Sequence, residues 1–337
     1  RGETDDLPYA LKAAKFLDVP LEVISIDSKK MSDDLETMIY QLDEPLADPA
    51  ALNVLYISEI AKRNNIKVML SGSGGDDIFT GYRRHNAINA QKYLEKIPKN
   101  IRNALEGYSN RLDTNLPILR KAAKFFNGFS LDGDERLVNY FKWSQRDDLF
   151  ALYNNEFKEH LNDSFSESIL LDFLNDNTSD LDDLTKMLLL EQRFFLTDHN
   201  LNYTDKMSMA EGVEVRVPFL DLDLVNFASL IPNTYKQRGR TGKWILKKAM
   251  EPHLPEDIIY RPKTGFGAPV RRWIQFELKD LINDTLSKDR IKKRGLFNPD
   301  AVANIIKMNK EGKNDFSYTI LSLLCIEIWC SKFMDAS

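Results

Sequence analysis

Apolar positions recur at helical spacing from the first residues, where Leu7, Leu11, Ala14 and Leu17 share one face of a predicted helix over about residues 5 to 17. Pro20 then introduces Leu21 to Ile26, a run that reads as a strand and ends in Asp27-Ser28. A second helix is predicted over about residues 32 to 42, and Asp43-Glu44-Pro45-Leu46-Ala47-Asp48-Pro49 breaks it because its prolines enforce extended backbone. The third helix, over about residues 50 to 64, turns Leu52, Leu55, Ile60 and Ala61 inward. Ile66-Lys67-Val68-Met69-Leu70 follows as a predicted buried strand, and Ile78-Phe79 to about Lys92 read as a helix. Alternation of this kind predicts βαβ units and a parallel sheet. Two strands are fewer than an open sheet normally holds, so the others are expected upstream of Arg1.

Beyond Gln91 the pattern turns helical. Asn175 to Asp183 is an acidic break before a long helix through Met187, Leu190 and Phe194, and its carboxylates read as caps and helix-dipole groups rather than a metal site. Phe316 to Phe333 reads as a core helix, and Gly128 to Asp134 is the best candidate for a mobile loop.

Composition narrows the classes. The chain has 337 residues, 43% of them hydrophobic and 29% charged, which is ordinary for a globular protein with a substantial core. Its net charge of −5 points to neither a nucleic-acid partner nor a membrane partner. Arg271-Arg272 and Lys292-Lys293-Arg294 read as solvated helix faces. Cys325 and Cys330 lie on one apolar segment and read as reduced core thiols, which fits a cytoplasmic protein. No apolar run reaches transmembrane length, and the opening residues do not read as a signal peptide. Arg1 in place of an initiator methionine, with a helix following at once, reads as a fragment whose upstream part is missing.

Three segments carry candidate chemistry. Ser71-Gly72-Ser73-Gly74-Gly75-Asp76-Asp77 follows the strand, at the edge where open α/β sheets bind ligands. Its glycines allow positive φ and close approach, and the following helix start offers N–H groups to phosphate. Asp76 and Asp77 would oppose a bare phosphate, so their presence points to a bridging divalent cation. A tight turn with an aspartate N-cap is the competing reading.

The second segment is Asp205-Lys206-Met207-Ser208-Met209-Ala210 continuing into Gly212 to Asp221. Val213, Val215 and Val217 alternate with Glu214 and Arg216, which places both charges on one face of an extended segment. They read as an ion pair before a substrate contact. The third is Arg261-Pro262-Lys263-Thr264-Gly265-Phe266-Gly267-Ala268-Pro269, a shaped loop that displays Lys263. A lysine there is either solvated or the fixed ammonium that an anionic transition state needs.

The run Ser71 to Tyr82, the run Asp205 to Asp221, and Lys243-Trp244-Ile245-Leu246 with Arg261 to Phe266 and Trp273 together resemble the synthetase domain of glutamine-dependent asparagine synthetases. Asp43-Glu44-Pro45 with Asp48 also falls where that family has a similar segment. The resemblance implies a helix-rich α/β fold: residues 1–90 would be the C-terminal part of a PP-loop ATPase-like (adenine-nucleotide alpha-hydrolase-like) parallel-sheet core. Residues 91–337 would be the mostly helical portion of the same domain, carrying the 205–221 and 261–269 segments.

The activity it implies is ATP-dependent formation of an acyl-adenylate on a carboxylate, with release of pyrophosphate, followed by displacement of AMP by ammonia. Aspartate would be the acceptor and glutamine the ammonia source, through an N-terminal glutaminase domain that this chain lacks. By the same resemblance Ser71, Gly72, Ser73, Gly74 and Gly75 line the nucleotide, and Asp76 binds Mg²⁺ and pyrophosphate. Asp77 stands where a glutamate is more usual, Lys263 stabilises charge during adenylation, and Asp205, Lys206, Glu214, Arg216 and Asp221 lie around the cleft. A homodimer is one option for the assembly.

Two departures stand out. No Ser-Gly-Gly-x-Asp-Ser pyrophosphate loop occurs, so the chain by itself is expected to bind ATP poorly and to be inactive. Ser73 replaces a glutamate proposed to act as acid or base when ammonia attacks, and a hydroxyl cannot take up a proton near neutral pH as a carboxylate does. An amide-forming ligase acting on another carboxylate, or a degenerate non-catalytic homologue, are the alternatives. A P-loop phosphotransferase is disfavoured because Thr241-Gly242-Lys243 lacks the earlier glycine, and a Rossmann dehydrogenase because Gly72, Gly74 and Gly75 do not make G-x-G-x-x-G.

Overall fold

The computed structural model describes residues 6–25, 27–94, 96–109, 119, 126, 128–142, 144, 146–161, 166–178, 180–262 and 269–335. The chain forms two compact units, each drawn from three separate stretches of sequence. One comprises Arg1–Asp27, Pro49–Asn89 and Glu191–Ala268; the other comprises Ser28–Asp48, Ala90–Leu190 and Pro269–Ser337.

The first unit is built around a parallel two-stranded sheet, β1 (Val68–Leu70) beside β2 (Glu214–Arg216), in the register Val68 to Glu214, Met69 to Val215 and Leu70 to Arg216. The helix Ala50–Arg63 packs on the helix Asn202–Ala210 beside these strands, burying Leu52, Leu55, Tyr56, Ala61 and Met207. The helix-rich α/β class and the parallel pairing therefore hold, but the strand set differs from the sequence expectation. Residues 21–25 form no strand, and Leu21 and Val23 stay exposed. Strand geometry needs a hydrogen-bonding neighbour, and the neighbour of β1 comes from a segment more than a hundred residues away. Nor is β1 fully buried: Val68 is 41% and Leu70 73% exposed, because no layer among the described residues covers that face.

The predicted helix 32–42 is two helices, Ser28–Asp33 and Leu35–Leu42. The one expected after residue 78 is likewise two, Gly75–Phe79 and Arg83–Leu94, separated at Gly81. The long helix through Leu190 runs as α-helix over Asp183–Leu190, widens to a π-helix over Glu191–Leu201, and returns to α-helix at Asn202.

The second unit is helical throughout its named elements. Its centre is the helix Ser317–Phe333, apolar on all sides as a fully covered helix must be, with Ile320, Leu324 and Cys325 essentially inaccessible. The helices Leu35–Leu42, Val270–Gln275, Lys279–Thr285 and Pro299–Lys310 pack on it. Arg294 reaches Glu327 at 3.3 Å and grips Asp335 through two bonds of 2.8 and 2.7 Å. The acidic break is where the sequence placed it, and Asp182 caps the next helix by accepting from the Leu184 and Thr185 amides. Gly128 to Asp134 is not a free loop. Buried Arg102 donates to the Phe129 and Leu131 carbonyls, buried Arg136 donates to Phe129 as well, and Gly133 already begins a helix.

Candidate active site

The turn after β1 is shaped mainly from within the protein. Ser71 donates its amide to Arg216 O at 2.8 Å, which fastens the turn to the end of β2. The Ser71 and Ser73 hydroxyls bond to each other at 2.8 Å, and Ser71 Oγ also accepts the Ser73 amide. Gly74 has φ +89°, and a Cβ there would sit 2.4 Å from Leu220 Cδ2. Gly75 packs on Phe219 in the same way, at 3.3 Å. These two glycines admit the Pro218–Leu220 turn rather than a ligand. A Cβ on Gly72 would meet nothing within 4 Å, so that position is the open one.

Asp76 and Asp77 open the helix Gly75–Phe79 and point to different environments. Asp76 Oδ1 lies 2.7 Å from Lys243 Nζ, with a fifth of the Asp76 side chain and 29% of the lysine's accessible. This pair depends on two close backbone approaches. A Cβ on Gly81 would fall 1.6 Å from Asp76 Oδ1, and one on Gly242 would fall 2.0 Å from the Thr80 carbonyl oxygen. Thr80 and Lys243 both take left-handed backbone, at φ +67° and +53°, and are held there by the Lys243 amide donating to Phe79 O at 2.8 Å. Backbone held out of its preferred basin in this way is a recurrent feature of functional sites.

Asp77 is only 1% exposed. Tyr82 donates its hydroxyl to the Asp77 carboxylate at 3.2 Å, and Asn200 donates to the Tyr82 oxygen at 3.4 Å. Burial first, then the negative charges of Glu191 and Asp76, push the Asp77 carboxyl up to about 7. Behind it, fully buried Glu191 bonds Arg84 through one oxygen and His85 Nε2, 2.7 Å away, through the other. His85 Nδ1 accepts the Tyr82 amide at 3.2 Å, so the ring proton belongs on Nε2 and is donated to Glu191. The Arg84 guanidinium lies against both the Tyr82 and Phe195 rings, 4.5 and 4.7 Å from their centroids, and the rings themselves meet edge to face. Glu191 stands at the start of the π-helix, a rare form frequently found at functional sites.

A cavity of about 490 Å³ adjoins the Asp76–Lys243 pair, with Gly81, Tyr82 and Lys243 in its wall. Arg83, Arg240, Lys247 and Arg261 also line it, and no carboxylate does among its lining residues. Although Arg261 pairs with Asp6, this cation-lined chamber beside Asp76 can receive phosphate oxygens.

The other sequence candidates fall into place unequally. Glu214 accepts from Arg216 at 2.9 Å on the exposed face of β2, so the structure shows the ion pair. Asp221 caps the helix Leu222–Leu230 by accepting from the Asp223 and Leu224 amides. Asp205 is exposed on the helix Asn202–Ala210, and Lys206 is half-buried beside it. Lys263 lies outside the described residues. Sequence reasoning gave no role to Tyr82, Arg84, His85, Glu191 or the Lys243 ammonium. Only Tyr82 and Lys243 had a signal, as members of the motif runs; nothing local marks Glu191 as their neighbour.

A family model described as asparagine synthase matches residues 1–331. The chain is 28% identical to asparagine synthetase [glutamine-hydrolyzing] 1 of Bacillus subtilis over 91% of its own length and 46% of that protein's. It is 26% identical to a putative asparagine synthetase [glutamine-hydrolyzing] of Mycobacterium tuberculosis, covering 90% of this chain and 45% of the relative. A fungal relative of another description, amidase chyE of Penicillium rubens, is 24% identical over 90% of this chain and 47% of its own length. The chain thus spans about half the length of the relatives it matches. With the glycine-rich turn, the Asp205 to Asp221 segment and the Lys243 helix brought into one unit, the chain belongs to the asparagine synthase family.

Proposed function

We propose that the protein containing this chain is an ATP-dependent, AMP-forming amide ligase, and that its reaction is asparagine synthesis from aspartate with ammonia drawn from glutamine. The observation that carries this reading is the Asp76–Lys243 pair at the carboxyl end of β1, opening on a chamber lined by cations. In that role Ser71 to Gly75 present backbone and hydroxyl groups to the nucleotide, with Gly72 as the unobstructed point of approach. Lys243, together with the motif lysine Lys263, offsets negative charge as the α-phosphate is attacked. Tyr82 and Asp77 hold the floor beneath them.

Magnesium commonly takes one or two carboxylates and completes its shell with water and substrate phosphate. Asp76 fits that habit because its carboxylate is accessible beside the basic chamber, whereas Asp77 does not because it is buried under Tyr82. Asp76 would hold the ion, which would neutralise phosphate charge.

Ser73 supports a second reading, in which the acceptor is a carboxylate other than aspartate. Its hydroxyl is tied to Ser71, and serine cannot serve as a neutral-pH base. Pyrophosphate release by the full-length protein decides between these readings. Aspartate-dependent release with asparagine formed is the expected result, reduced about a hundredfold or more by Lys263→Ala. Release only with a different carboxylate removes asparagine synthesis and keeps the ligase; no release with any carboxylate leaves the degenerate homologue.

A further inference from the structure

In the second unit the helices Val270–Gln275, Lys279–Thr285, Pro299–Lys310 and Ser317–Phe333 enclose a cavity of about 410 Å³. Its volume falls within the range of small-molecule sites. Ile274, Ile282, Ile306 and Ile320 give it aliphatic walls, and the first, second and fourth are themselves buried. A chamber of this composition favours an aliphatic body over a polar one.

Its charged lining groups are both cations, and the amides of Gln275, Asn283 and Asn309 complete its polar lining. Asn309 lines the cavity and is 9% exposed. Its Oδ1 is already taken by the Phe316 amide at 2.8 Å and the Ser317 hydroxyl at 3.4 Å. The Asn309 amide nitrogen has no partner among the described residues, and it is a donor only. Lys279 and Lys310 add two ammonium groups to the lining, neither with an ion-pair partner among the described residues, and no carboxylate lines the cavity. Two ammonium groups and no lining carboxylate, set beside an aliphatic chamber, favour a ligand with one anionic head and an apolar tail.

We propose that this cavity is a binding site for a medium-chain aliphatic carboxylate, with the tail among the four isoleucines and the head at Asn309, Lys279 and Lys310. The site is independent of the ligase reaction. Octanoate titrated into the full-length protein labelled at isoleucine methyl groups should give saturable shifts confined to residues 274, 282, 306 and 320. Octylamine should bind about tenfold more weakly or not at all. Lys279→Glu with Lys310→Glu should weaken octanoate by about tenfold while the circular dichroism spectrum is unchanged, and Ile306→Trp should abolish binding by filling the chamber. Shifts that do not saturate or that spread over the protein, equal binding of octylamine, or full affinity in a folded double-charge variant would each overturn the site.

Discussion

Asp76 and Asp77 are adjacent in sequence and differ in environment, and that difference has a measurable consequence. Asp77, held near 7 chiefly by burial, keeps its proton in the folded state over a range in which the unfolded chain, with an ordinary value of 3.8, has lost it. The folded state then binds more protons than the unfolded state, so this contribution is fully present below about pH 4 and is lost as pH rises toward about 7, by at most about 4 kcal/mol. Urea denaturation without nucleotide or magnesium should therefore show stability falling across that window, and Asp77→Asn should flatten the fall. Glu191 is held by ion pairing, as the shared acceptor for Arg84 and His85. Glu191→Ala leaves the partly buried Arg84 guanidinium and buried His85 without this carboxylate and should cost about 3 kcal/mol in the urea midpoint analysis, with Glu191→Gln costing less. Neither residue's environment was legible in sequence: a doublet of aspartates reads as a cap or a metal pair, and what buries one of them arrives from a helix more than a hundred residues on.

At the scale of elements, local signals worked where local chemistry decides. Asn298 before Pro299, which the sequence reading did not single out, carries such a local signal: its side chain accepts from the Asp300 and Ala301 amides at 2.9 and 3.1 Å. Asn298→Ala should lower stability by about 1 kcal/mol, read as a shift in the urea midpoint with the m-value unchanged. The acidic break before Asp183 and the apolar helix Ser317–Phe333 were legible for the same reason. The Leu21 to Ile26 run was misread because β-branched composition marks only a capacity for strand, and the capacity is realised where a neighbour supplies hydrogen bonds. Gly128 to Asp134 was misread as loose because its restraints include guanidinium bonds from Arg102, a residue far back in the chain.

At the scale of the whole molecule, the chain's two cysteines are both unpaired and buried in one helix. Burial pushes the Cys325 thiol up to about 12 and raises Cys330 as well, so neither is a thiolate near neutral pH. Native protein should react with a disulfide reagent at neither site, and denatured protein at both; rapid modification in the native state would contradict this burial. The family and its motifs were determined by the sequence alone, because a glycine-rich turn, a valine-alternating segment and a lysine helix in fixed order are local patterns that survive without coordinates. So were the helix-rich α/β class and the Glu214–Arg216 pair, which follow from side-chain periodicity along a single segment. Only the tertiary structure decided that β2 is the partner of β1, that Lys243 meets Asp76, and that Glu191, His85 and Arg84 close behind Asp77. Each of these joins residues far apart in the chain, and burial, charge pairing and strand hydrogen bonding depend on distance in space, which no local pattern of residues encodes.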